Sequence, residues 1–274
     1  MMSLVSILNT VLTFLFGLAY EPLKWLGPLW SLVGISALAG ILLVWIFGKV
    51  SNQDAIHRTR DRLSSELIAL RLFKDDLRVF FRIQFEVLAW TFKYLRYSLA
   101  PMLILMVPTM IILIQLNLHY GARPLRVGEQ ALVKVKLRDP AKEISLNAPP
   151  NLKIETAPVH VQPLNELCWR VRAISPGRFD LTANDGQTSI TKTVAVGGRL
   201  EGVSTERTGE SFLEALLYPG EAAIPSHSAI QSIEIVYPAM DILVFGWHMN
   251  WLILFLALSL ILGYSFKGVL GVQI

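Results

Sequence analysis

Three apolar runs without a single Asp, Glu, Lys or Arg constrain this chain more than any other feature: Pro28–Gly48, Leu99–Leu118 and Ile242–Tyr264. Each is about 20 residues long, so as a helix rising ~1.5 Å per residue it reaches ~30 Å, the thickness of a bilayer's hydrocarbon core. The spacing predicts three transmembrane helices, over residues 28–48, 99–118 and 242–264. With 53% hydrophobic residues in 274, the apolar content is concentrated in these runs instead of being spread as in a soluble domain.

The first 27 residues, MMSLVSILNTVLTFLFGLAYEPLKWLG, are apolar but lack the basic n-region of a signal peptide. They predict a helix lying in the interface, with Pro22 and Trp25 at headgroup depth. The segment 49–98 then carries ten Lys/Arg against six Asp/Glu. It is short enough for the positive-inside rule to apply, which places it in the cytoplasm. The N-terminus is then outside, the C-terminal tail 265–274 inside, and the chain an integral protein of the plasma (inner) membrane. The long connection between spans two and three lies outside, and its thirteen basic and thirteen acidic residues, Asp241 left out, are in balance. The isoelectric point of about 9.2 thus comes largely from one cytoplasmic element. A basic patch beside a membrane faces anionic lipid headgroups, and no nucleic acid is expected.

That element, SNQDAIHRTRDRLSSELIALRLFKDD and onward, reads as a helical hairpin. Ser51 or Asn52 caps the first helix and Asp54 sits in its first turn. Leu63, Leu67 and Leu70 share one face. Leu77, Phe81, Phe85, Leu88, Phe92 and Leu95 form a second stripe. A turn near Asp75–Asp76 returns the chain to the same membrane face, and the two stripes are expected to pack as a short antiparallel coiled coil. Arg58, Arg62, Arg71, Phe73, Lys74, Arg78 and Arg82 are the candidate contacts to headgroups or to a hydrophobic client.

This order of an outside N-terminus, a first span, a basic cytoplasmic hairpin, a second span and a returning third span resembles the core of the YidC/Oxa/Alb membrane-insertase superfamily. The resemblance covers roughly Pro28–Leu118 plus Ile242–Tyr264. Members accept insertions between the second and third core spans, where this chain carries its outside domain. Bacterial YidC has a basic residue within its first core span. This sequence has none there, Lys49 standing only at the cytoplasmic end, which leaves room for a divergent member with another task. The resemblance implies assistance in inserting or folding membrane proteins, with nascent or partner membrane proteins as clients.

Within the spans, Pro101, Pro108, Thr109, Gln115 and Asn117 of the second and His248 and Asn250 of the third are the candidate lining of a partly polar groove. Ser36 and Gly40 stand four apart in the first span, a spacing that suits close helix packing. From Arg123 the pattern changes to short alternating strands, such as ALVKVKL and LCWRVRA, with turns at Ser175-Pro176-Gly177 and Asn184-Asp185-Gly186. They predict an extracytoplasmic immunoglobulin-like β-sandwich over 119–199. In 200–241, a short helix begun by a Ser211/Glu214 capping box precedes a strand returning to the membrane.

No metal-ligand spacing joins the five histidines to Cys168, the one cysteine, and no phosphate-binding, dinucleotide or hydrolase motif is present. No cofactor and no enzymatic activity are expected. Two functions follow: an insertase-like protein, slightly favoured because the core order is hard to obtain by chance, or a structural assembly subunit of a larger membrane complex that binds a partner through its outside β-domain.

Overall fold

The computed structural model describes residues 4–72, 77–139, 142–198, 202–209, 211–244 and 246–271. The chain divides into two compact units, residues 1–32 with 113–254 and residues 33–112 with 255–274.

Helix α1 (Leu4–Tyr20) leads through a turn to α2 (Pro28–Val50). Proline at the first position of α2 suits a helix start, where its missing amide has no intrahelical partner. The next helix, α3 (Gln53–Leu72), begins where Asn52 Oδ1 accepts from the Ala55 amide at 3.0 Å, so Asn52 supplies the expected cap. Then α4 (Leu77–Tyr120) runs unbroken for 44 residues, about 66 Å. It fuses the second arm of the expected hairpin with the second apolar run, and Pro101 and Pro108 lie inside it. The expected turn at Asp75–Asp76 lies outside the described residues. The expected coiled coil does not form. Among the described side chains of the two stripes, Leu67, Phe81, Phe85, Leu88, Phe92 and Leu95 are exposed and Leu63 is half-buried, so these residues do not form a packed seam.

Two helices, α2 and α4, are long and apolar enough to cross a membrane. The third apolar run is divided. Residues Asp241–Val244 (β10) and Trp247–Asn250 (β11) pair as an antiparallel hairpin, and only Trp251–Phe266 (α6) is helical, 16 residues or about 24 Å. Two residues explain the break. Gly246 takes φ 89°, a left-handed conformation that favours glycine. Asn250 then caps the helix, its Oδ1 accepting from the Leu252 amide at 2.8 Å. In the second unit α2 and α6 meet through small residues. A Cβ on Gly40 would stand 2.5 Å from the Ser259 carbonyl oxygen, and one on Gly263 would stand 3.1 Å from the Gly40 oxygen. The Ser36/Gly40 spacing therefore marks a real contact face.

The first unit holds the β module. Its larger sheet orders β3 (Leu152–Ile154), β5 (Glu166–Ala173), β1 (Gln130–Leu137), β9 (Ile230–Val236) and β8 (Glu206–Arg207), with β4 (Val159–Val161) also paired to β5. The smaller sheet orders β2 (Ser145–Asn147), β6 (Gly177–Asn184) and β7 (Ser189–Val196). Alternation sends Val133, Val135, Trp169, Val171, Ile233 and Ile235 of one sheet and Leu181, Ala183, Ile190 and Val194 of the other into one core. As predicted, Trp169 and Val171 point inward while Arg170 is exposed. The module extends past residue 199. Strand β9 is interior, paired to β1 on one side and β8 on the other, and does not serve as a lead into the membrane. Between β8 and β9, α5 (Phe212–Leu217) starts at Ser211, whose Oγ accepts from the Glu214 amide at 3.3 Å.

Candidate functional site

The basic residues of the expected hairpin sit on α3 and α4 and are largely engaged along their own helices. Arg58 Nε donates to the Asp54 carbonyl at 3.3 Å. Arg62 pairs with Glu66 at 3.2 Å and Arg82 with Glu86 at 3.3 Å, each one turn on. Arg78 is exposed. Phe73, Lys74 and the Arg71 side chain lie outside the described residues.

The residues of the expected transmembrane groove fall in both units, Pro101, Pro108 and Thr109 in the second and Gln115, Asn117, His248 and Asn250 in the first. His248 and Asn250 stand on β11, where His248 faces Leu243 across the hairpin, so they do not line a span. Thr109 Oγ1 bonds back to the Leu105 carbonyl at 2.8 Å. Pro101 is buried, Pro108 half-buried and Asn117 exposed. Gln115 is buried and its Nε2 donates to Thr13 Oγ1 of α1 at 3.2 Å, while its Oε1 accepts from no described residue. Of these groups Gln115 joins helix to helix, whereas Thr109 bonds within its own helix and Asn250 caps α6.

In the first unit the last turn of α4, the end of α1 and the start of α2 come together under the β module. Tyr120 donates to Ser31 Oγ at 2.7 Å, and the Tyr20 and His119 rings lie 4.3 Å apart. A cavity of about 1320 Å³ opens here, lined among others by Tyr20, Lys24, Trp25, His119, Arg123 and Arg178. Two of its cations are paired. Lys24 pairs with Glu21, and Arg123 grips Glu129 with two bonds of 2.8 and 2.9 Å. The Arg123 guanidinium and the Arg126 amide hold the Glu129 carboxyl down at about 2.

Two buried groups that alternation alone does not flag hold the module's loops. Lys192, fully buried, stands at an inward position of β7 between Ile190 and Val194. Its Nζ donates to the Ser204 carbonyl at 2.7 Å, to Ser204 Oγ at 3.1 Å and to Glu221 Oε2 at 2.9 Å, while Glu221 Oε1 accepts from the Thr193 amide at 2.9 Å. Burial presses the Lys192 ammonium below its ordinary value and the Glu221 carboxylate opposes that shift. Asp185, in the β6–β7 turn, accepts from the amides of Gln187, Thr188 and Ala229 and from the Thr188 hydroxyl. Burial alone would raise its carboxyl, but these bonds together hold it well below the usual range. The sequence signal for Lys192 was present as a charge in the apolar register of TSITKTVAV. Nothing local singles out Glu221. Among the described residues no three His, Cys, Asp or Glu come together as a metal site.

Neither family models nor curated proteins give a match to this sequence.

Proposed function

We propose that the chain is an integral membrane subunit with a structural, assembly role. One observation carries the reading. A single 44-residue helix passes from an arginine-bearing segment, through an uncharged stretch of span length, to the strands of a folded β module. With a membrane around that uncharged stretch, the basic segment before it and the module after it fall on opposite faces. By the positive-inside rule α3 and the start of α4 are cytoplasmic and the β module, read as an immunoglobulin-like sandwich, is outside. In this reading α6 makes a third, short crossing with local thinning of the bilayer. Protease added to sealed cells is expected to cut the β module and spare α3, and gentle extraction to yield a stoichiometric complex. Cleavage of α3 with the module spared, or recovery of the chain free of any complex, refutes it.

An insertase-like role related to the YidC/Oxa/Alb superfamily is the second reading. It is favoured by the exposed Phe81, Phe85, Leu88, Phe92 and Leu95 beside arginines, a surface suited to an emerging apolar segment. Depletion of the protein then slows insertion of small membrane proteins, and nascent chains crosslink to this face. Unchanged insertion refutes it.

A further inference from the structure

The exposed stripe on α4 is longer than the charged segment that contains it. Phe81, Phe85, Leu88, Phe92, Leu95, Leu99, Met102 and Met106 step by four, three, four, three, four, three and four. That is a strict 3.5-residue repeat, with Phe85, Phe92, Leu99 and Met106 at a positions and the others at d. All eight are exposed, from 47% to 71%; beyond Leu99 the neighbours Leu103, Ile104 and Val107 are exposed as well, so there the seam is one line on a wider apolar surface. On a straight helix a 3.5 repeat slews by ~20° per heptad, about 70° over this seam, so keeping it on one line requires supercoiling around a partner helix. Lipid imposes no such repeat. Nor does lipid cover the first half, where Arg82, Lys93 and Arg96 keep the helix out of hydrocarbon. The two prolines do not interrupt the seam, since Pro101 and Pro108 both fall at c, off the contact face.

From this we infer that α4 pairs with α4 of a second copy of this chain as a parallel, in-register coiled coil. The occupant must be one continuous helix, apolar along its seam in both a charged and an uncharged half, in the same order. Among the described elements only α4 has that form. Two copies inserted in the same direction bring charged half to charged half and apolar half to apolar half. Arg82 and Arg96 fall at e, and the g positions Gln84, Thr91 and Ser98 are neutral, so from Phe81 onward no like charges face each other across the pair. The seam ends where it should, because the preceding a position is Arg78. Eight side chains of this size and exposure cover about 800 Å² per helix, or ~1,600 Å² for the pair, the size of a stable interface. The parallel register rests on the membrane reading above; the seam itself does not.

The test uses the full chain in its native membranes, with Cys168→Ser as background. Single cysteines replace Phe85 and Phe92 on the seam and Lys93, equally exposed but at b, off it. Mild oxidation is expected to give at least ten-fold more disulfide-linked homodimer at Phe85→Cys and Phe92→Cys than at Lys93→Cys. Equal yields, no homodimer, or crosslinks only to another protein overturn the proposal. So does labelling of residues 85 and 92 by a photoreactive lipid as strong as that of Leu103. A second arm measures native mass in detergent, where the wild type is expected as a dimer and Phe85→Glu/Phe92→Glu as a monomer of unchanged helicity; a wild-type monomer overturns the pairing. If the double variant fails to fold, the cysteine pattern decides alone. Release of the chain by carbonate wash defeats the membrane reading separately, leaving the cysteine periodicity to judge the seam.

Discussion

Glu221→Gln isolates the charge that faces buried Lys192. Glutamine keeps the volume and one carbonyl acceptor, so the change removes the negative charge and leaves an ammonium of zero exposure with neutral partners in place of its ion pair. Removing one member of a buried pair costs about 3–5 kcal/mol. An upper bound follows from proton release, because the stranded lysine can always become neutral. From an unfolded value of ~10.4 this costs about 4.6 kcal/mol at pH 7 and about 1.9 kcal/mol at pH 9, at ~1.36 kcal/mol per unit. The sign is fixed by linkage. The folded lysine sits below its unfolded value, so between the two the unfolded chain binds the extra proton and stability rises with pH. The variant is therefore expected to lose about 2–4 kcal/mol at pH 7 and no more than about 2 kcal/mol at pH 9. Pulse proteolysis of the detergent-solubilised chain across a urea series, at each pH, reads both numbers. The double variant Lys192→Met/Glu221→Leu should lie within about 1 kcal/mol of wild type, since a packed apolar pair replaces the ionic one. A loss under about 0.5 kcal/mol at pH 7, or a loss undiminished at pH 9, refutes the reasoning.

Three further outcomes are expected. Gly40→Ala drives a Cβ to within 2.5 Å of the Ser259 carbonyl oxygen, and since that atom is backbone it should cost about 1–3 kcal/mol in thermal unfolding; Gly17→Ala, where a Cβ meets nothing within 4 Å, should not destabilise. Glu129, held at about 2, adds stability that is complete above its unfolded value near 4.5 and lost as pH falls towards 2; discounted for partial exposure this is about 1 kcal/mol, and Glu129→Gln should abolish that part of the acid dependence of the urea midpoint. Asp185→Asn leaves one of the donors around Asp185 facing an amide NH₂ instead of an oxygen, and should lower the midpoint of the β module by about 1–3 kcal/mol.

Much of the helical part of this chain is legible because uncharged length is a strong constraint. The run from Pro28 and the run from Leu99 each emerge within a helix long enough to span. The run from Ile242 misleads for a definite reason. A short apolar strand and a helix in lipid hold the same residue types, and hydropathy does not separate Ile242–Val244 from Trp251–Phe266. Gly246 and Asn250 do separate them, through a left-handed φ and a cap, and both were visible in the sequence. The boundary at residue 199 failed differently. Strand β9 is central, but its partners β1 and β8 lie nearly 100 and about 30 residues away, and local pattern carries no information on pairing at that range. The α4 stripe was visible as far as Leu95; its continuation to Met106 was hidden because every neighbour there is apolar too.

The candidate groove fails for a reason that bears on function. Polar residues in an apolar helix have two uses, to wet a path or to bind helix to helix, and the sequence presents both alike. Here the polar groups around the end of α4 are spent within the chain: Gln115 on Thr13, Tyr120 on Ser31, His119 Nδ1 on the Gln115 carbonyl, Asn250 on the cap of α6. A group bonded inside the chain does not lower the free energy of a polar flank crossing beside it. The exposed α3–α4 surface is then the part of the chain that an insertase role would use. What an assembly role requires is different: a long apolar helix face left exposed for a partner, and α4 with its seam supplies one among the described residues.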